Sequence, residues 1–367
     1  MDLSDASSRY DAFYVPAFTV KVDGRALTYE VPLAVNQVEI DKTLGGAAHF
    51  GFTIVNAFDQ EKGEFVTATG QPAFDLLRFG AKVEIAVGYG DHRKLTPVLF
   101  GTITNLSTGF SEGGTPELSV SGYDNMFPLT LGKRSKSWKE VKDSDVVHLI
   151  AQGYGLSTDI VSTDETHEQI EQNQEGDLDF ITKLAKRNHY EFYMTEKDVL
   201  RFGPPRDTSN GLMALAWSKG LLSFKPEANL ASQISRVRVL GWDPEAKKAI
   251  VGEAVAGEES GKEPSRSSAG EYIKKFAKKD VVLEVRQPVF TQAEAKERAT
   301  AILSDHAKAF LTGEAECVGL PELMPDTNVS LTGLGKTFSK IYYIHAANHK
   351  VDGNGYRTRF KVKETSL

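Results

Sequence analysis

Between residues 13 and 131 the chain alternates hydrophobic and polar positions with a period of two, and turn residues interrupt the alternation repeatedly. This pattern predicts antiparallel β-sheet, because successive side chains of a strand point to opposite faces. Asp23–Gly24 is a hairpin signal between two such segments. The strands predicted in this way cover residues 18–22, 27–31, 50–55, 83–89, 98–104 and 118–123. Short strands at this spacing are typical of a barrel or sandwich, and we assign residues 1–131 to a first β-barrel domain.

After Gly132 the apolar spacing changes to three and four residues, which predicts helices. Ser144 is placed to cap a first helix that ends near Gly153, and Asp177 is placed to cap a second. The inward-facing residues predicted for these helices are Val146, Val147, Leu149, Ile150, Leu178, Ile181, Leu184 and Ala185. Two strands, at 190–194 and 199–202, follow the second helix. We therefore predict an α/β insert domain over residues 132–206.

Strand patterns return at residues 221–225 and 235–241 and again in the last fifty residues. Over residues 252–270 the composition shifts to Gly, Glu, Ser and Lys, which predicts a mobile loop, because few apolar side chains remain to offset the ordering entropy. Thr291 and Glu294 form a capping box at the start of a helix over residues 291–310. Its predicted buried stripe is Ala299, Ile302, Leu303 and Phe310. Residues 207–367 are assigned to a second β-barrel domain.

The composition limits the classes of partner. With 40% hydrophobic and 25% charged residues, the 367-residue chain has the composition of a folded soluble protein of two or three domains. The formal net charge of -7 argues against general affinity for nucleic acid or anionic membrane. Cys317 is the only cysteine, so no intrachain disulfide is possible. The polar residues 1–10 lack the features of a signal peptide, and no stretch reaches the ~20 apolar residues of a membrane span. We expect synthesis in the cytoplasm and no membrane insertion.

Two short motifs resemble a phosphate-binding loop and a zinc site, but the sequence around each motif argues against that function. Gly333–Thr337 resembles the end of a phosphate-binding loop, but Ser330 occupies a position where that loop needs Gly, and a strand follows where a helix is needed. A tight β-turn is the preferred interpretation. His345 and His349 would bind zinc together on a helix, whereas on a strand they lie ~13 Å apart. We therefore expect a structural role for both.

The sequence contains one cluster of acidic residues and one cluster of basic residues. Eight Asp and Glu residues lie between Asp159 and Asp179 without any Lys or Arg, and basic residues alternate along the last strand. The candidate contact residues are Asp164, Glu165, Glu168 and Glu171 in the acidic run and Arg357, Arg359, Lys361 and Lys363 in the basic strip. Either they are solvated faces of a loop and a sheet, or the basic strip of one protomer faces the acidic run of the next and orients assembly.

Three parts of the chain resemble the phage late control protein D family. Tyr14–Phe18 with Val22–Arg25 and Phe52–Asn56 is similar to the family's opening strands. Val147–Leu156 and Gln174–Ala185 resemble its helical insert. The last part resembles its C-terminal barrel through short predicted strands at Leu320–Pro325, Val329–Gly335, Tyr342–His345, Asn348–Val351 and Tyr356–Phe360.

This resemblance implies the central baseplate hub of a contractile phage tail or contractile injection system. The implied fold is mainly β with an α+β insert: two antiparallel β-barrel domains arranged for pseudo-sixfold packing in a trimer, plus a small helix-containing domain. The implied partners are two further copies, an inner tube protein, other baseplate proteins and a cargo effector. The spike is expected to be a separate protein, because some relatives continue into a needle where this chain ends at Leu367.

The resemblance implies no catalytic residue, cofactor or metal. Two alternatives remain from the residues alone. One is a peptidoglycan-cleaving enzyme of a tail or injection particle, with its acids among the many carboxylates. The other is a free-standing β-barrel binding module. A hub should be trimeric or become trimeric with its spike, whereas a simple module should remain a monomer.

Overall fold

The computed structural model describes residues 3–10, 13–207, 211–243, 247–289 and 291–367. Within these ranges most of the regular structure is β-sheet. The strands are β1 (Pro16–Val22), β2 (Arg25–Ala26), β3 (Ala34–Thr43), β4 (His49–Val55), β5 (Phe58–Asp59), β6 (Glu64–Phe65), β7 (Lys82–Tyr89), β8 (Thr96–Thr108), β9 (Leu118–Asp124), β10 (Arg134–Lys142), β11 (Ser157–Ile160), β12 (Thr166–Glu175), β13 (Glu191–Met194), β14 (Val199–Gly203), β15 (Met213–Trp217), β16 (Gly220–Ala228), β17 (Arg236–Asp243), β18 (Lys248–Val255), β19 (Val282–Arg286), β20 (Leu311–Val318), β21 (Thr327–Thr332), β22 (Lys340–Asp352) and β23 (Gly355–Glu364). The α-helices are α1 (Leu3–Arg9), α2 (Asp143–Gly153), α3 (Asp177–Asn188), α4 (Ala269–Ala277), α5 (Gln292–Ala307) and α6 (Gly335–Phe338).

The first unit is an antiparallel sheet with the strand order β2–β1–β7–β8–β9–β4–β3. The alternation in the sequence buries one face of the strand as predicted, since Val83, Ile85 and Val87 on β7 are all buried. The strand predicted over residues 27–31 is wrong: β2 ends at Ala26 and a turn follows. Strand β3 was not predicted.

The second unit contains a closed ring of six strands in the order β22–β21–β15–β16–β20–β23, with β23 pairing back to β22. The ring is antiparallel except at β15, which runs parallel to both neighbours. The predicted strand over residues 320–325 is instead a pair of turns. The two short strands predicted within 342–351 form the single long strand β22.

Strand β22 also joins the two units. Its residues Ala346–Val351 pair antiparallel with Val38–Thr43 of β3, so the first sheet continues into the closed ring. At its other side the first unit curls back onto the β22–β23 hairpin, where the rings of Tyr89 and Tyr356 are 5.7 Å apart. One hydrophobic core extends through both units. The expected fold class, mainly β with barrel architecture and an α+β insert, is confirmed.

The insert has its own core between β9 and β15 and contains both predicted helices. Three details differ from the prediction. Leu149 is 43% exposed, because it lies on the outer side of α2. Lys142, not Ser144, is the N-cap residue of α2, and the Ser144 hydroxyl instead accepts from the Thr163 amide at 3.2 Å. Gly176 is the N-cap residue of α3, and Asp177 lies in its first turn, where its negative charge favours the helix.

A second inserted unit, which was not predicted, lies between the adjacent barrel strands β16 and β20. It consists of the sheet β18–β17–β19 with α5 packed on one face around a separate small core. Thr291 caps α5 as predicted, accepting from the Glu294 amide at 3.0 Å, while the Glu294 carboxylate of the predicted capping box bonds to Arg298. The helix ends at Ala307 rather than at residue 310.

The loop predicted over residues 252–270 is shorter in the structure. Strand β18 extends to Val255, and α4 begins at Ala269 with a Ser268–Glu271 capping box. The irregular chain between them is held by polar contacts to other parts of the protein. The Arg266 guanidinium donates to the Thr337 carbonyl at 2.8 Å, and the Ser260 amide donates to the Ser304 hydroxyl at 2.9 Å. The mobility of this segment stays a prediction.

Candidate docking surface

The basic strip lies on the outward face of β23, as the alternation predicted. Two of its residues are neutralised within the chain, since Arg359 is 2.9 Å from Glu316 and Lys361 is 3.1 Å from Glu314, both on β20. Arg357 and Lys363 form no ion pair with any described residue. The strip therefore offers two cations for an external partner, not four.

A groove of about 890 Å³ runs beside the strip and is lined by residues of six strands, β3, β4, β16, β20, β22 and β23. It lies where the barrel passes into the first sheet, and a bulge in β22 between Ile344 and Ala346 helps to form the hollow. Its lining combines the small side chains Ser223 and Ala346 with two charged residues of the strip, Arg359 and Lys361. Such a groove has room for a segment of another protein.

The acidic run lies in the insert, and three of its eight residues, Glu168, Glu171 and Glu175, are on β12, which pairs with β10. Asp164, Glu168 and Glu171 are exposed. Glu165 is less available to a partner than these three residues, because it contacts Thr291 at the start of α5. Within the described residues the structure contains no ion pair between the acidic run and the basic strip, so any contact between them has to involve a second protomer.

The contact of Glu165 with α5 brings carboxyl groups together. Glu165 accepts from the Thr291 hydroxyl at 3.2 Å and lines the same small cavity as Glu294. Burial, together with repulsion from Glu294, raises the pKa of Glu165. The cavity beside the pair measures only about 30 Å³, room for a water molecule but not for a sugar.

Both histidines singled out from the sequence lie on β22. His349 is fully buried and hydrogen-bonds through Nδ1 to the Tyr356 hydroxyl at 2.9 Å, and burial lowers its pKa to about 3. His345 Nδ1 lies 3.1 Å from the Lys361 carbonyl oxygen, to which it donates. Across the described ranges no three metal-binding side chains come together. The Gly333–Thr337 segment contains a turn, but the short helix α6 precedes the expected strand.

The residue that links the units most directly is Asp326, which the sequence reasoning missed. It is buried, with a φ of 63°, in the turn before β21. Its carboxylate accepts from the hydroxyls of Tyr193 and Tyr343 and from the Arg206 amide, at 3.1, 2.9 and 2.9 Å. The Pro325–Asp326 turn signal was visible in the sequence, but its partner in the insert, 133 residues away, was not.

Comparison with known proteins gives the family. The family model of the Alg8 N-terminal domain matches residues 13–353. The chain belongs to the Alg8 N-terminal domain family. Among curated proteins, none matches the chain. No helix in the described part of this family member is long and apolar enough to cross a membrane.

Solved structures share the fold of this Alg8 N-terminal domain member. The 43 kDa tail protein of prophage MuSo2 from Shewanella oneidensis has a TM-score of 0.69 at 14% identity, covering 95% of this chain and 98% of its own. The tail protein of Neisseria meningitidis also has a TM-score of 0.69, at 15% identity, over 96% and 97%. A component of the Escherichia coli type VI secretion system, structurally similar to the T4 bacteriophage tail proteins gp27 and gp5, has a TM-score of 0.55 at 13% identity, over 95% and 77%. The resemblance inferred from the sequence is thus confirmed at the level of the fold.

Proposed function

We propose that the protein is the structural hub of a contractile injection system or contractile phage tail. The observation that carries the proposal is the likeness of fold to tail proteins along nearly the whole chain, 95–96% of its length. The proposed partners are an inner tube protein, a spike protein, other baseplate proteins and a cargo effector, within an assembled particle. No catalytic step enters this function.

The hub is proposed to act as a trimer that adapts one symmetry to another. Each chain contributes two β units, so three chains around a threefold axis present six. A sixfold tube can then rest on one face, while a threefold spike attaches to the other, through packing alone. The continuous β3–β22 pairing supports this arrangement, because it fixes the angle between the two units of each chain. Obligate contacts of this kind bury ~2,000 Å² or more.

The charged clusters are proposed to guide how protomers meet. Arg357 and Lys363, which form no ion pairs among the described residues, face the exposed acids Asp164, Glu168 and Glu171 of the neighbouring protomer. Exposed ion pairs contribute little affinity, so their main effect is on orientation and on the rate of assembly.

Light scattering after size-exclusion chromatography tests the proposal. The full chain is measured alone and after co-expression with candidate tube and spike proteins of the same genome, and any complex is then imaged by cryo-electron microscopy. A trimer between tube and spike is the expected result. A chain that stays monomeric in every mixture would overturn the proposal and favour a simple binding module. Turnover of purified peptidoglycan, abolished by a single Asp or Glu substitution, would instead establish the enzyme alternative.

A further inference from the structure

Helix α4 carries the most exposed phenylalanine in the described part of the chain. Phe276 has 79% of its surface exposed and lies in the last turn of this helix, which covers Ala269–Ala277. Keeping a phenyl ring in water is unfavourable. A single exposed apolar side chain is nevertheless common on protein surfaces, so the surroundings of Phe276 decide what this surface can bind.

The inner side of α4 is packed against the protein, which fixes the direction of its outer side. A Cβ atom on Gly270 would lie 2.8 Å from the Cβ atom of Ala256, so the first turn is in close contact with the chain after β18. One turn before Phe276, the ring of Tyr272 is 5.7 Å from the ring of Phe310. These contacts hold the start and the middle of the helix. The last turn therefore presents Phe276 to the outside.

Four lysines lie within three positions of Phe276 in the sequence, namely Lys274, Lys275, Lys278 and Lys279. Lys274 is 2.9 Å from Asp280, which also binds Arg236 at 2.8 Å. The other three lysines are exposed and form no ion pair with any described residue. A local excess of positive charge thus lies beside the exposed ring, on a chain whose formal net charge is -7.

The lysines and the ring have to be considered together. Lysines near the end of a helix are favourable in any protein, because the last carbonyl groups of the helix carry partial negative charge. The charge alone would therefore not indicate a ligand. A basic helix that also exposes an aromatic ring is typical of helices that bind at the surface of a membrane, where the ring and the cations reach different layers.

The type of cation favours a lipid surface over an acidic protein. All four cations beside Phe276 are lysines, whereas protein interfaces are enriched in arginine and depleted of lysine. Phe276 also projects from the convex surface of a helix. A protein partner would need a matching pocket for the ring, whereas a layer of lipid headgroups adapts to its shape.

We propose that the last turn of α4 is a peripheral membrane-binding site, with Phe276 in the headgroup layer of a bilayer that contains anionic lipid and with Lys275, Lys278 and Lys279 at the lipid phosphates. Each lysine near an anionic surface contributes about fivefold in affinity, and the ring enters the bilayer by about 5–10 Å. The net charge of the chain opposes a general attraction to such a bilayer. The contact is therefore confined to this patch and is reversible.

Vesicle flotation of the full chain tests the site. Binding is measured to vesicles of phosphatidylcholine alone and to vesicles with about 30% phosphatidylglycerol. The wild type should bind the anionic vesicles at low salt and lose most of this binding at high salt. Lys275→Gln with Lys279→Gln should weaken binding about 25-fold. Phe276→Ser should weaken it about tenfold, because the ring no longer leaves water.

Exposed residues elsewhere in the chain provide matched controls. Lys94→Gln with Lys139→Gln makes the same change in net charge at exposed positions of the first unit and the insert. Phe79→Ser removes a ring that is 68% exposed in the first unit. Both control variants should bind anionic vesicles like the wild type. Circular dichroism checks that every variant is folded, as the exposure of the substituted side chains predicts.

Several results would overturn the proposal. One is a wild type that binds neither kind of vesicle, or that binds both kinds equally. Another is an equal loss of binding in the α4 variants and in their controls. Binding that depends on the lysines but not on Phe276 would also overturn it, and would favour an acidic protein or a nucleic acid as the partner. The wild type alone gives the first of these results, so the test depends neither on the folding of a variant nor on the formation of a trimer.

Discussion

The Tyr193 hydroxyl lies 3.1 Å from Oδ2 of Asp326, and this hydrogen bond joins the insert to the barrel. Both residues are buried. On its other oxygen Asp326 accepts from the Tyr343 hydroxyl, so one carboxylate connects the insert with β22. A buried carboxylate bonded on both oxygens tolerates little change, since each lost acceptor leaves a donor without a partner.

Asp326→Ala should therefore lower the free energy of unfolding by about 2–4 kcal/mol. Asp326→Asn should cost less, because Asn tolerates the positive φ of this position and keeps one acceptor oxygen. Urea unfolding followed by circular dichroism measures both. Asp164→Asn, at an exposed position, is the control and should change stability by less than about 0.5 kcal/mol. A stability loss for Asp326→Ala as small as that of the control would contradict this account.

The buried pair of Lys340 and Glu364 predicts a pH dependence of stability. The amino group lies 2.5 Å from the carboxyl, and burial raises the pKa of Glu364 to about 7. Because the folded protein holds this proton more tightly than the unfolded chain, the Glu364 contribution is complete below about pH 4.5 and declines as the pH rises towards 7.

Glu364→Gln should remove the part of the pH dependence of stability that comes from Glu364. Urea midpoints at pH 4.5, 5.5, 6.5 and 7.5 should then fall less steeply for the variant than for the wild type. Equal slopes in the two proteins would show that Glu364 does not titrate in this window. Glu263→Gln, at a partly buried residue that lines the same cavity, provides the charge control.

Close approach of α5 to β18 makes Gly252 intolerant of any side chain. A Cβ atom built there lies 2.0 Å from the Ala295 carbonyl carbon, which is backbone and cannot rotate away. Gly252→Ala should destabilise the protein by about 3 kcal/mol, at the upper end of ordinary overpacking. Gly153→Ala is the control, because a Cβ at this position in the last turn of α2 meets no atom within 4 Å. Thermal unfolding of the two variants distinguishes them, and similar melting temperatures would refute the close packing.

Charge reversal tests the proposed protomer contact. Arg357→Glu with Lys363→Glu should weaken trimer formation at low salt by about tenfold, since these cations have no ion-pair partner among the described residues. Arg359→Glu with Lys361→Glu makes the same change in net charge at positions paired within the chain and should have less effect. Sedimentation velocity at 25 and 300 mM salt measures both. Unchanged trimer formation by all four substitutions at low salt would remove the basic strip from the assembly.

The spacing of hydrophobic residues predicted much of the fold, because each strand or helix that buries one face carries that spacing in its own sequence. The alternation in β7 and the 3–4 spacing in α3 each reflect one buried face, so both elements were found. Leu149 was misassigned because helical spacing alone does not say where a buried stripe ends. The sheet β17–β19 was absorbed into the predicted barrel, since a strand pattern does not name its pairing partner.

The docking surface was harder to predict from the sequence, because its contacts join residues that lie far apart along the chain. The alternation of Arg357 and Arg359 with buried residues identified the outward face of β23. It did not reveal that Glu314 and Glu316 occupy the neighbouring strand and neutralise half of the strip. Likewise, Glu165 and Glu294 are 129 positions apart in the sequence, and only the folded chain brings them together.

The sharing of β22 between ring and first sheet has a mechanical consequence. A force that pulls the two units apart along the strand direction loads six residue pairs between β3 and β22 at the same time. Hydrogen bonds that are loaded together in shear must break together. The junction between the two β units therefore resists such a force as a whole.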